Sequence, residues 1–79
     1  MDALSVSFGD FVKFKRIYKK LSNLELAKMI NVSDSYVYKL ERNEMIPSLK
    51  IFADICRVLE FSNTEIVWII RAYKELSET

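Results

Sequence analysis

From Asn31 to Asn43 the chain reads NVSDSYVYKLERN, a stretch dense in side chains that exchange hydrogen bonds. Lys39 only donates, Asp34 only accepts once ionised, and Ser33, Ser35 and Tyr38 can do either. This is the chemistry of recognising a polar surface. The rest of the chain offers little for catalysis. It has no histidine and a single cysteine, so the commonest general base, a Cys/His zinc site and an intrachain disulfide are all excluded. No glycine-rich phosphate loop occurs, and Cys56 is expected as a core residue rather than a nucleophile. The expectation is a binding protein with no enzymatic activity, no metal and no cofactor.

Short helices must position these side chains. Ser7-Phe8-Gly9-Asp10 can cap a first helix running to about Lys20, and Ser22-Asn23-Leu24-Glu25 is a capping box for a second ending near Ile30. Asn31 stands where the chain must reverse, since asparagine tolerates the left-handed conformation that helix ends require. Ser33 caps a third helix with Val37 and Leu40 on one face, and Asn43 ends it. Pro47-Ser48 opens a fourth, with Leu49, Phe52, Ile55, Val58 and Leu59 expected on its inner face. Ser62-Asn63-Thr64-Glu65 is another capping box, starting a C-terminal helix over 62–77 whose body runs from Glu65 to about Leu76. The pattern predicts an all-α fold of five helices in one domain, 1–79.

At 79 residues, half of them apolar, such a domain is only marginally able to bury its own core, and without disulfides or metals oligomerisation is the remaining supplement. No apolar run approaches the roughly 20 residues needed to span a bilayer, and MDALSVSFGD lacks the basic-then-apolar order of a leader. A cytoplasmic protein is expected. Net charge is only +1, but it is unevenly spread. The first 50 residues are basic by about three charges and the remainder acidic by about two, as expected when one face meets an anion.

The segment around Asn31 to Ser33 separates Leu26, Ala27 and Ile30 from Val37 and Leu40. Ala27 is small enough to let two helices cross closely, and Val32 can plug the turn into the core. In this helix-turn-helix pattern the sequence resembles the Cro/C1-type family of phage repressors and bacterial regulators, over a family core of about Phe8 to Ile66. The matching stations are Arg16, Leu21-Ser22-Asn23, Leu26-Ala27, Asn31-Val32-Ser33, Val37, Lys39-Leu40-Glu41-Arg42-Asn43, Pro47-Ser48, Leu59 and Ser62. Where the family favours glycine this chain has Lys20, Asn31, Asn43 and Glu60. The asparagines are good substitutes; Lys20 and Glu60 are poorer ones.

The resemblance implies a five-helix lambda-repressor-like DNA-binding domain with its helix-turn-helix at helices 2 and 3, found at the nucleoid through its double-stranded DNA. Helix 3 should lie in the major groove with Ser33, Asp34, Ser35, Tyr38 and Lys39 as base readers. Lys39 suits guanine O6 and N7, and Asp34 suits a cytosine amine. Asp34 has a second reading, as a negative charge favoured at a helix N-terminus by ~0.3–1 kcal/mol. Asn23, Lys28, Tyr36 and Arg42 are the expected phosphate contacts, with Lys50 a weaker one. Arg16 and Glu41 are expected to pair between helices 1 and 3 as structural residues.

Phe11, Phe14 and Tyr18 exceed what Phe8, Val12 and Ile17 need for the core. On the last helix Ile66, Trp68, Ile69, Ile70 and Tyr73 form a surface too wide for a small monomer to cover. They are expected to form a homodimer interface anchored by Trp68, which would set two recognition helices ~34 Å apart on a two-fold operator. The competing expectation is that the last helix folds onto helix 1 within one chain. Function is then read as transcriptional repression by a prokaryotic or phage type regulator with no small-molecule ligand. The alternative is a helix-turn-helix fold retained as a protein-interaction module, an antirepressor or co-regulator, with weak DNA binding.

Overall fold

Each of the five helices starts on a serine. The computed structural model describes residues 7–78, with side chains described through Arg71. In it α1 spans Phe8–Tyr18, α2 Asn23–Met29, α3 Asp34–Glu41, α4 Leu49–Val58 and α5 Asn63–Glu78, with no strand among the described residues. The hydroxyls of Ser7, Ser22, Ser33 and Ser48 accept the backbone N–H three residues on, satisfying a donor that the helix leaves unpaired. Ser62 does the same for Glu65 at 3.1 Å, and the Glu65 carboxylate accepts the Ser62 N–H in return at 2.9 Å. Asp10 and Glu25 complete the same reciprocal box at α1 and α2.

The first four helices also end alike. Lys20, Asn31, Asn43 and Glu60 all have positive φ, between 55° and 61°. Beyond each, the next residue donates its N–H back to the carbonyl five positions earlier: Leu21 to Arg16, Val32 to Ala27, Glu44 to Lys39 and Phe61 to Cys56, all at 2.9–3.0 Å. These are Schellman closures built without glycine. The side chains following the left-handed residue, Leu21, Val32 and Phe61, turn inward onto the core, which links each helix stop to packing.

The core joins Phe8 and Val12 of α1, Leu26 and Ala27 of α2 with Ile30, Val37 and Leu40 of α3, Ile55 of α4 with Leu59 and Phe61, and Ile69 of α5. Ile69 is 1% exposed. It therefore belongs to the core and not to a dimer interface, which corrects the expectation, and Ile66 also packs against that core. The physical reason is that α5 lies on α1: Trp68 meets Phe11 edge-on at 6.0 Å between ring centroids, and Lys15 pairs with Glu65 at 2.9 Å. Trp68 and Ile70 stay accessible, and the side chain of Tyr73 lies outside the described residues. Two further expectations fail. Leu49, at the first turn of α4, is 83% exposed, and Ile17 is on the outer side of α1.

Gly9 is the one glycine and it stands inside α1. A Cβ there would lie 2.6–2.7 Å from the Leu40 and Glu41 carbonyls and the Asn43 side chain. Glycine thus lets the start of α1 abut the end of α3. Across that contact Asn43 Oδ1 accepts the Gly9 N–H at 3.0 Å, and its amide donates to Ser7 Oγ at 2.8 Å.

Candidate nucleic-acid interface

The buried side of α3 is fixed by Val37 and Leu40, both fully enclosed. Helical geometry then puts Asp34, Ser35, Tyr38, Lys39 and Arg42 on one continuous opposite face, and all five are exposed. Four of the five proposed base readers thus share a surface. Ser33 lies at its edge as the helix cap, its oxygen already accepting the Tyr36 N–H at 3.1 Å. Asp34 Oδ1 accepts the Ser35 N–H at 2.8 Å, so part of its acceptor capacity is spent on the helix end.

The angle of α3 is set by α2 and α1. Ala27 is buried where α2 crosses α3, and the Val32 N–H bonds to the Ala27 carbonyl at 2.9 Å, closing the turn. From α1, Arg16 Nε donates to Glu41 Oε2 at 2.7 Å and Nη2 to Oε1 at 3.1 Å. A third donation, Nη1 to the Leu21 carbonyl at 2.8 Å, ties the same guanidinium to the stop of α1. The two side chains are 10% and 7% exposed. Forked geometry and the third bond let a buried charge pair hold three elements in register.

The expected phosphate contacts are less uniform. Asn23 begins α2 half-buried, and its amide donates to Glu41 Oε1 at 3.4 Å, a link with no signal in the residue pattern. Lys28 is exposed at the end of α2. Tyr36 is half-buried, and burial pushes its phenol above the ordinary value, keeping it a neutral hydroxyl donor. Arg42 is exposed and pairs with Glu44 at 2.7 Å, so contact with a phosphate requires giving up an exposed partner. Such surface pairs are worth only about 0–1 kcal/mol. Burial raises the Cys56 thiol, which keeps it protonated and poorly nucleophilic. Among the described residues no cluster of acidic or cysteine side chains is spaced to hold a metal, and no helix is long and apolar enough to cross a membrane.

What sequence reasoning overlooked is the seam of Ser7, Gly9 and Asn43 behind α3. The available signal was the lone glycine inside a helix, a placement that usually marks close approach.

Comparison with known proteins gives two matches of the same kind. The helix-turn-helix family model matches residues 12–66. A solved structure, the clp gene regulator ClgR from Corynebacterium glutamicum, is similar with a TM-score of 0.72 at 26% identity, covering 96% of this chain and 79% of that one. No match is found among curated proteins.

Proposed function

The chain belongs to the Cro/C1-type helix-turn-helix family of DNA-binding transcription regulators, and we propose that it represses transcription by seating α3 in the major groove of a two-fold symmetric operator as a homodimer. The observation that carries this reading is the polar face of α3: four proposed readers and Arg42 presented together by a helix whose other side is locked into the core. In that pose Lys39 donates to guanine O6 and N7, Ser35 and Tyr38 supply adaptable hydroxyls, and Asp34 accepts from a cytosine amine. Asn23, Lys28, Tyr36 and Arg42 lie to either side as phosphate contacts that fix register. A helix-turn-helix seated this way represses by occupancy alone.

Binding to the DNA upstream of its own gene tests the reading. Lys39→Ala should weaken it by ~10-fold or more and relax the preference for guanine, since a good base contact is worth ~1–3 kcal/mol of discrimination. Equal affinity of native and variant protein for the operator and a scrambled duplex would remove α3 as the reading element. A second reading is favoured by the uncovered aromatics of α1, Phe14 and Tyr18, together with Asp34 on the polar face. In it the fold binds another regulator, and any DNA binding is weak.

A further inference from the structure

The homodimer just proposed needs a surface, and on α5 the structure encloses Ile69 in the core with Ile66 half-buried against it. Another surface remains. Phe14 is 79% exposed and Tyr18 82%. With Ile17 they share the outer side of α1 at helical spacing, and Trp68, edge-on to Phe11 of the same helix, is also partly exposed. At the ordinary size of such side chains these four leave roughly 500 Å² uncovered. A standard interface covers about 800 Å² per partner, so this patch can supply its apolar centre, with the flanking polar residues as its rim.

The two ends of α1 differ, and the difference identifies the occupant. Toward the N-terminal end Phe11 and Phe14 line an open groove of about 280 Å³, bounded by Asp10, Lys15 and Glu65. Lys15 is already paired with Glu65, whereas Asp10, bonded to Ser7, is exposed with no cation beside it among the described residues. Toward the C-terminal end the stripe finishes in the protruding ring of Tyr18, and Lys20 follows, exposed and without an acidic partner among the described residues. One end is a groove with a negative edge; the other is an aromatic knob with a positive one.

We propose that α1 packs antiparallel against α1 of a second copy, with Tyr18 of each chain entering the Phe11–Phe14 groove of the other and Lys20 reaching Asp10 across a two-fold axis near Phe14. Spacing permits it. Tyr18 lies about 6 Å along the helix from Phe14, and helical side chains lean toward the N-terminus, which carries the ring back over the groove of the partner. A parallel arrangement would instead set Lys13 and Lys20 against their own copies. The proposal rests on the homodimer reading and relocates its centre from α5 to α1.

The test is sedimentation equilibrium of the full chain across a concentration series, with DNA binding measured separately. Phe14→Asp with Tyr18→Asp should raise the dimer dissociation constant ~100-fold or more while the helical circular dichroism and thermal transition persist. Both residues face solvent in one chain, so their loss should not unfold it. Lys20→Asp should weaken the dimer roughly tenfold through two symmetry-related contacts; Asp10→Lys should weaken it similarly and also loosen the α1 cap, and the two together should recover the dimer but not the stability lost with the cap. Restoration by the double exchange is a result that a purely structural role of either residue would not give. A native chain that stays monomeric at high micromolar concentration overturns the proposal, whether or not it binds DNA. So does a dimer that survives the α1 changes but dissociates with Ile70→Asp. Native dimerisation lost on the α1 changes, but without affinity for DNA, supports this interface and counts against the repressor reading alone.

Discussion

At the residue scale the most exacting site is the Arg16–Glu41 pair. Each partner has traded water for the other, and a third guanidinium N–H is spent on the Leu21 carbonyl. Removing one member leaves a buried charge without compensation, so Glu41→Ala should lower the unfolding free energy by about 3–5 kcal/mol in denaturant titration. For a chain this small that is a large share of its total stability. Glu41→Gln, which keeps an acceptor of similar shape, should cost clearly less. Asp34 makes an opposite prediction. Its carboxylate favours the N-terminus of α3 but carries negative charge on the face turned to the phosphates. Asp34→Asn should therefore destabilise the fold by only ~0.3–1 kcal/mol and tighten binding to non-operator DNA several-fold, as read by titration of a scrambled duplex. Affinity lost for the operator alone, with the scrambled duplex unchanged, would mean that the carboxylate acts as a reader of bases and nothing else.

Helix boundaries are the element-scale result. Starts were legible because every helix begins with serine, the residue whose oxygen meets the free N–H groups. Stops were legible at Asn31 and Asn43 by chemistry, but at Lys20 and Glu60 only through the family resemblance, since neither side chain favours positive φ. At those two sites the downstream apolar residue and the closing hydrogen bonds outweigh a local cost of roughly 1–2 kcal/mol. Lys20→Gly should recover part of it and raise the unfolding free energy by about 0.5–1 kcal/mol, measurable as a higher melting temperature, because glycine gives back some of the gain in unfolded-chain entropy. Gly9 was legible only as a lone glycine inside a helix, a sign of close approach; no sequence period tells that it touches the carbonyl end of another helix. Nor was the division of α5, where Ile69 is enclosed and Ile70 is not, because the apolar residues run most of the way round. The caps also set an acid limit. Backbone and hydroxyl bonds from Ser22 hold the Glu25 carboxylate below its ordinary 4.5. At Glu65 burial pushes upward, but Lys15 and Ser62 together outweigh it and the net shift is downward. Lys19 lowers Glu60 as well, through a hydrogen bond and its charge. Groups lowered in the folded state stabilise it above pH about 4.5, and that stability is lost as pH falls through their folded values. Acid titration of the melting temperature should thus turn down below about pH 4.5, with a shallower fall in Glu25→Gln and Glu65→Gln.

Over the whole molecule a net charge of +1 conceals a basic N-terminal part and an acidic remainder. The helix-turn-helix lies in the basic part, and the acidic remainder, α4 through α5, follows it along the chain. A charge division of this kind steers one face to an anion without making the protein adhere to every polyanion. The scaffold that orients that face is built from the Arg16–Glu41 fork, the Gly9 seam and the Val32 turn, none of which needs to touch DNA. Affinity should then come from a few phosphate contacts at the edges of α3 and selectivity from its centre. The direct measurement is binding of the native chain to its own upstream DNA and to a scrambled duplex across a salt series. A repressor of the proposed kind binds the first at least ~1000-fold more tightly and loses affinity for both as salt rises, with log affinity falling linearly in log salt. Salt-insensitive binding, or equal weak binding to both duplexes by a folded protein, would contradict it and leave the α1 surface as the part of the molecule that meets its partner.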